Sequence, residues 1–203
     1  MLLNLISYIT SGDQTLMIYG LVTLLLRLPA VLLALSIHEA AHGWMAYKLG
    51  DPTAKNLGRI TINPFKHLNP IGAISMLLFG IGWANPVPIH SRYFKKPKRD
   101  MAIVALAGPV SNILQSLVLL FIYNALYYFG SVNNNIMMTY MGMFFFYAAV
   151  INVNLAVFNL LPIPPFDGSR LFFAFLPTKY YFKIMKYESF IMLGVLVVLW
   201  TGI

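Results

Sequence analysis

The sequence predicts an all-α membrane protein with about four transmembrane helices and a small β or re-entrant element in one loop. Three observations predict it. Hydrophobic residues make up 59% of the 203 positions and charged residues only 10%, against about 25% charged in a soluble globular domain. Two runs, 101–129 and 136–161, carry no charge at all, and each exceeds the roughly 20 apolar residues that take a helix across a bilayer. Before these runs lies a stretch of different texture, 51–100, with six prolines. These observations exclude a soluble enzyme, a disordered chain and a nucleic-acid-binding domain, despite a net charge of +8. The long runs do not alternate apolar with polar, which excludes a transmembrane β-barrel. The length allows one membrane-embedded domain, 1–203, and no sizeable soluble one.

The elements follow in order. Residues 1–12 are apolar but too short to span, so an interfacial or packed segment is expected. No basic n-region or small-residue cleavage pattern marks a signal peptide there. Residues 15–49 form the first long helix, about 50 Å at 1.5 Å per residue. It must tilt, kink near Pro29 or emerge from lipid at its C-terminal end. Gly50, Asp51 and Pro52 stop it. Segment 58–63, GRITIN, alternates like a strand, and 85–91 is held extended by Pro86 and Pro88. Between them 71–83 is apolar, Gly-punctuated and too short to span, as expected of a piece that dips into the membrane. Residues 101–129 form the second span, kinked near Pro109. Its small and polar residues Ala105, Gly108, Asn112, Gln115 and Ser116 recur at helical spacing and suit close helix packing in lipid. The third span is 136–161. A last apolar run, 190–203, could just span together with 184–189. Cysteine is absent, which removes disulfides and thiolate metal sites from consideration.

Charge sets the expected orientation. Thirteen of the 14 basic residues lie either between the first and second spans or between the third and fourth. The positive-inside rule places both loops in the cytoplasm and 130–135 outside. The basic residues are thus read as topology signals rather than a ligand site.

The chemistry-bearing feature is His38-Glu39-Ala40-Ala41-His42 on the first helix. The i, i+4 spacing puts both imidazoles on one helical face, where they can share a metal ion. Glu39 adjoins the first and can reach a water held there. Two packed core histidines are the plainer reading, but ionisable groups inside a membrane helix are costly and usually functional. A hydrolytic zinc site needs a third protein ligand and an open position. Asp51 and Glu188 are candidates near loop ends. Asp167 is better placed, because it follows the prolines that end the third span on the same side as the end of the first. His67 and His90 are expected to be ordinary loop histidines.

These residues carry a resemblance. HEAAH on one transmembrane helix, AGPVSN at 107–112 on the next, and NLLPIPPFDG at 159–168 after a third look like the site-2 protease family of intramembrane zinc metalloproteases. GDPTAKNLGRITINPFKHLNPIG and GWANPVPI resemble its short bacterial branch. The resemblance covers nearly the whole chain from about residue 30. It implies zinc (Zn2+) held by His38, His42 and Asp167, with Glu39 as catalytic acid and base. It also implies a part for Asn159 in catalysis or substrate handling, and one membrane-embedded metalloprotease domain. The chain lacks the PDZ domain that larger relatives carry between the motifs, and no nucleotide-sensing CBS domain is expected at the end.

The function expected on this basis is an endopeptidase cutting peptide bonds within or near transmembrane segments. The partners expected are single-span membrane proteins and the lipid bilayer, with no nucleic acid. Asn159 or Asn112 could donate to the oxyanion, although either could serve only as interhelical glue. A zinc transporter or a non-proteolytic relative is the alternative, but neither accounts for Glu39 beside the first ligand. A helical substrate must unwind to expose its amides, and free backbone in lipid needs new partners. An extended edge, 58–63 in preference to 85–91, is expected to supply them by strand pairing.

Overall fold

In the computed structural model the chain is predominantly helical, and residues 2–10, 12–79, 82–177, 179–180, 184 and 186–201 are described. The described helices are α1 (Leu2–Thr10), α2 (Gln14–Lys48), α3 (Thr53–Asn56), α4 (Pro70–Phe79), α5 (Pro97–Val132), α6 (Ile136–Asn159), α7 (Asp167–Phe173) and α8 (Glu188–Thr201). Single 3-10 turns occupy Pro64–Lys66 and Ser91–Tyr93.

Three of these helices, α2, α5 and α6, are long and apolar enough to cross a membrane. Helix α2 continues through Pro29 and α5 through Pro109. Three of the four spans expected from sequence are thus found among the described residues. Helix α8 has 14 residues and rises about 21 Å, short of a hydrocarbon core about 30 Å thick. Parts of the 184–203 run lie outside the described residues.

Burial is inverted relative to a water-soluble bundle. The outer surface carries Leu25, Leu114, Val118 and Phe121, each more than half exposed. Many of the buried positions are small or polar, among them Ala34, Ser36, His38, His42, Asn112, Ser116 and Asn152. Lipid replaces the packing of large side chains, so the interior is left for close contact and hydrogen bonding. This is the organisation of a multi-pass membrane protein.

The chain divides into two compact units. The first comprises residues 1–36, 62–86 and 113–153. Here α1 packs against α4, which makes Leu2–Thr10 a packed segment. Helix α4 is the short apolar piece expected to dip into the membrane. Its neck is closed by one antiparallel bridge between Leu68 and Ala84 and by the Asn85 N–H donating to the His67 carbonyl at 2.6 Å. His67 is 2% exposed and lines a small cavity with Ser36 and Trp83, so it is no ordinary surface-loop histidine. His90 is exposed as expected.

The second unit comprises residues 37–61, 87–112 and 154–203. Its apolar core gathers Ala46, Phe94 and Val104, with Met45, Leu49, Ile89 and Met101 against them. Helix α2 ends as the sequence predicts. Gly50 sits at φ +110°, its N–H donates to the Tyr47 carbonyl, and the Asp51 N–H reaches the Ala46 carbonyl. That pair of bonds is a Schellman cap.

The segment 58–63 forms no strand, and no strand occurs among the described residues. The reason is local. The Gly58 N–H donates to the Lys55 carbonyl and the Arg59 N–H to the Ala54 carbonyl, a second Schellman cap that closes α3. At the other end Asn63 caps the following 3-10 turn by accepting from the Phe65 N–H. Two helix caps consume the ends of the alternating run, and the few residues between them form bends.

Asp51 ties this second unit together. Its side chain is fully buried and accepts from the Thr53 N–H, the Thr53 hydroxyl and the His90 N–H at 2.6 Å. Burial alone pushes its carboxyl up, but these bonds outweigh burial and hold it below the usual carboxylate range. A depressed folded-state value means the stabilisation is full above the unfolded value of about 3.9 and is lost as pH falls through the folded one. Asp51→Ala leaves three donors without their acceptor and is expected to destabilise the chain by about 2–4 kcal/mol. Thermal unfolding in detergent checks this. Asp51→Asn should also flatten the loss of stability below about pH 4.

Candidate metal centre

Three helices of the second unit bring the site together. Helix α2 supplies His38 and His42 one turn apart, with ring centroids 4.6 Å apart and planes nearly perpendicular. Helix α5 lies beside them, and its residues 104, 108 and 112 recur every fourth position on one face. Helix α7 begins at Asp167. Asp167 is therefore the first residue of a helix rather than part of a plain turn. Gly168 behind it is required for close approach: a Cβ there would stand 2.2 Å from the Leu160 carbonyl oxygen.

The two outer imidazole nitrogens are fixed from behind. The His42 Nδ1–H donates to the Val104 carbonyl at 2.8 Å, and the His38 Nδ1–H donates to Asn112 Oδ1 at 2.8 Å. Both partners are acceptors, so each neutral ring carries its proton on Nδ1 and presents a lone pair at Nε2. The two Nε2 atoms are 3.0 Å apart, and Asp167 Oδ2 stands 3.1 Å from one and 3.2 Å from the other. Three electron-pair donors thus converge in a buried place with no hydrogen between them. Such a triangle requires cation, either added protons or one metal ion.

The dimensions suit a metal ion. Donors about 2.0–2.1 Å from a tetrahedrally bound ion stand about 3.3–3.4 Å apart, close to the observed edges. His38, His42 and Asp167 are the metal-capable group found among the described residues. Burial alone raises the Asp167 carboxyl, but when no metal is bound and the imidazoles of His42 and His38 carry protons on Nε2, they outweigh burial and hold it well below the usual carboxylate range.

Space for an ion is kept by Gly108. A Cβ there would fall 2.4 Å from His42 Nε2 and 2.6 Å from His38 Nε2. The small-residue stripe on α5 was expected to serve helix packing. In the structure, Gly108 leaves the nitrogens clear and Asn112 orients His38. The spacing 104, 108, 112 is the signal that could have revealed this, since it defines one face.

Glu39 is half-buried, and its Oε2 accepts from the Val87 N–H at 2.9 Å. Asn159 is not joined to the cluster by any hydrogen bond found: its amide donates to the Leu155 carbonyl of its own helix at 2.9 Å. Asp51 is committed to its cap and to His90, away from the three donors. The Glu188 side chain lies outside the described residues.

The chain is similar to known proteins. Residues 126–200 match the model of peptidase family M50. The chain is 39% identical over 160 residues to YwhC of Bacillus subtilis (strain 168), which carries a zinc-metalloprotease name, and the match covers 79% of this chain and 73% of that one. It is 28% identical over 142 residues to Rip2 of Mycolicibacterium smegmatis, also named as a zinc metalloprotease, and spans about half of that protein's length, 52%. Over 68 residues, 29% of this chain and 16% of the relative, it is 40% identical to the regulator of sigma-W protease RasP of Bacillus subtilis. No solved structure matches it significantly. A buried His-Glu-x-x-His pair completed by a distant aspartate, on a chain that matches most of YwhC, places this chain in peptidase family M50.

Proposed function

We propose that the chain is a multi-pass intramembrane zinc endopeptidase that hydrolyses peptide bonds within or near the transmembrane segments of single-span membrane proteins. The observation that carries this is the triangle of Nε2, Nε2 and Oδ2 at 3.0–3.2 Å, with the Glu39 carboxylate on the residue next to the first nitrogen.

Zinc held by His38, His42 and Asp167 would supply a Lewis acid for water and for the scissile carbonyl. The protein does the rest. Asn112 and the Val104 carbonyl keep both rings in the Nδ1–H tautomer, so both Nε2 lone pairs face the ion. Glu39 takes the proton of the attacking water on Oε1, since Oε2 is held by Val87, and passes it to the leaving amine. Asn159, at the end of α6, is assigned to substrate handling by resemblance to the family. Its bond to Leu155 uses one of the two amide hydrogens and leaves the other, with Oδ1, for substrate.

Two finer features complete the reading. The run 184–203 serves as a fourth span. The basic loops face the cytoplasm, as the one-sided charge supports.

The purified chain should hold about one zinc, and His38→Ala, His42→Ala or Asp167→Ala should lose it. Metal analysis of each variant decides. Full zinc retention in Asp167→Ala removes that residue from the site. Glu39→Gln should keep zinc and abolish cleavage of a single-span substrate. Persisting cleavage in that variant contradicts the mechanism.

Gly108→Ala adds one methyl group against both nitrogens and should abolish zinc binding while leaving helix content unchanged. Asn112→Ala should weaken zinc affinity by about 10–100-fold. Circular dichroism and zinc titration separate the two effects.

For orientation, the chain has no native cysteine, so single cysteines can be introduced at Asn134 and Lys96. Membrane-impermeant thiol labelling of intact cells should reach the first and not the second. The opposite pattern inverts the topology.

A further inference from the structure

We propose that the backbone N–H of Val87 is a positioning group for Glu39, holding the general base in the orientation the reaction needs. The inference rests on the proteolytic reading above and adds a residue to it.

Val87 stands between Pro86 and Pro88. Proline carries no N–H, so residues 86–88 contain a single backbone donor. That donor is spent on Glu39 Oε2, at 2.9 Å. Proline also restricts the residue before it to extended backbone. Asn85 and Val87 both precede a proline, so the segment is stiff on either side of the bond. The sequence thus builds a rigid, strand-like stretch outside any sheet, with one hydrogen aimed at Glu39.

Two further contacts fix that strand in place. The Val87 side chain is 5% exposed and lies against α2 at Gly43, one turn beyond Glu39, where an added Cβ would stand 3.2 Å from Val87 Cγ1. Three residues on, the His90 N–H donates to buried Asp51 just past the end of α2. Carboxylates at 39 and 51 therefore hold the N–H groups of 87 and 90, and the strand cannot slide along the helix without losing both.

The consequence concerns Glu39 alone among the site residues. The imidazoles are oriented by α5, and Asp167 by the start of α7. Glu39 has three rotatable side-chain bonds and no other hydrogen bond found in the structure. A general base must be within hydrogen-bond reach of its proton, and small misplacements lower rates steeply. Engaging one oxygen restricts the carboxylate and leaves the other to accept the proton of water.

Two measurements test this on the full chain in detergent. The first reads the bond itself. In protein labelled with 15N-valine, the Val87 amide should exchange slowly, and Glu39→Ala should speed its exchange by about tenfold or more. Unchanged exchange overturns the proposal. The second reads the consequence with a helical single-span peptide as probe. Val87→Ala keeps the N–H and loses the side chain, whereas Val87→Pro loses both. kcat of Val87→Pro should fall about 10–100-fold below that of Val87→Ala, with KM and zinc content alike in the two. Equal kcat in the two variants overturns the proposal.

If Val87→Pro does not fold, the α-hydroxy analogue of valine at position 87 replaces the N–H by oxygen and keeps the side chain. Its kcat should fall below that of native protein in the same way, and an unchanged kcat again overturns the proposal. The proteolytic reading fails separately: no cleavage of the single-span peptide by the native, zinc-loaded chain would overturn that reading, whereas a fully active Val87 ester beside an inactive Glu39→Gln would overturn only the role of Val87.

Discussion

Three electron-pair donors stand within 3.2 Å of one another in a buried part of this chain, an arrangement that needs either added protons or one metal ion between them. Their mutual repulsion in a low-dielectric setting is costly unless a cation sits among them. The surroundings raise that demand rather than relieve it. The Val104 carbonyl and Asn112 Oδ1 are both acceptors, and each draws the ring proton to Nδ1, away from the centre. A core built only for packing would have placed a donor among the three. The close approach of Gly108 serves the same end, since any side chain there would fill the space an ion needs.

The helices position the donors in different ways. Helix α2 fixes two of them by spacing alone, since i and i+4 share a face. Helix α5 contributes no donor of its own to the triangle but controls the tautomer of both rings. Helix α7 delivers the third donor at its first residue, after prolines have ended α6 and Gly168 has let the chain pass close to the Leu160 carbonyl. Asp51 and Glu39, two of the chain's six acidic residues, hold the extended segment 87–90 against the same end of α2. The inverted burial follows from the solvent. Lipid accepts the leucines and phenylalanines on the outside, so buried positions can be given to polar groups.

Much of this was legible in the sequence, because the relevant signals are local. His38 and His42 were readable from one helical turn, the long spans from charge-free runs, and the end of α2 from Gly50-Asp51-Pro52. Asp167 required the argument that two helix ends share a membrane depth, and the structure brings it to the imidazoles. What was hidden depended on partners distant in sequence. Gly108 and Asn112 looked like packing residues because lipid helices favour small side chains for that purpose too. The strand pattern at 58–63 was overridden by cap chemistry at both ends. His67 carried no sign of burial, because the bond between its carbonyl and Asn85 closes the neck of α4 across 18 positions. Val87 was noticed only for its prolines, and its partner Glu39 lies 48 residues away.

The central claim is that His38, His42 and Asp167 form a zinc site whose rings are set by α5. Zinc K-edge X-ray absorption on the purified chain tests it most directly. Two imidazoles should appear, with the remaining donors oxygen, all at about 2.0–2.1 Å. Asp167→Asn should alter the oxygen part of the shell while both imidazoles remain. A shell with one imidazole or none, or a shell unchanged in Asp167→Asn, would contradict the account.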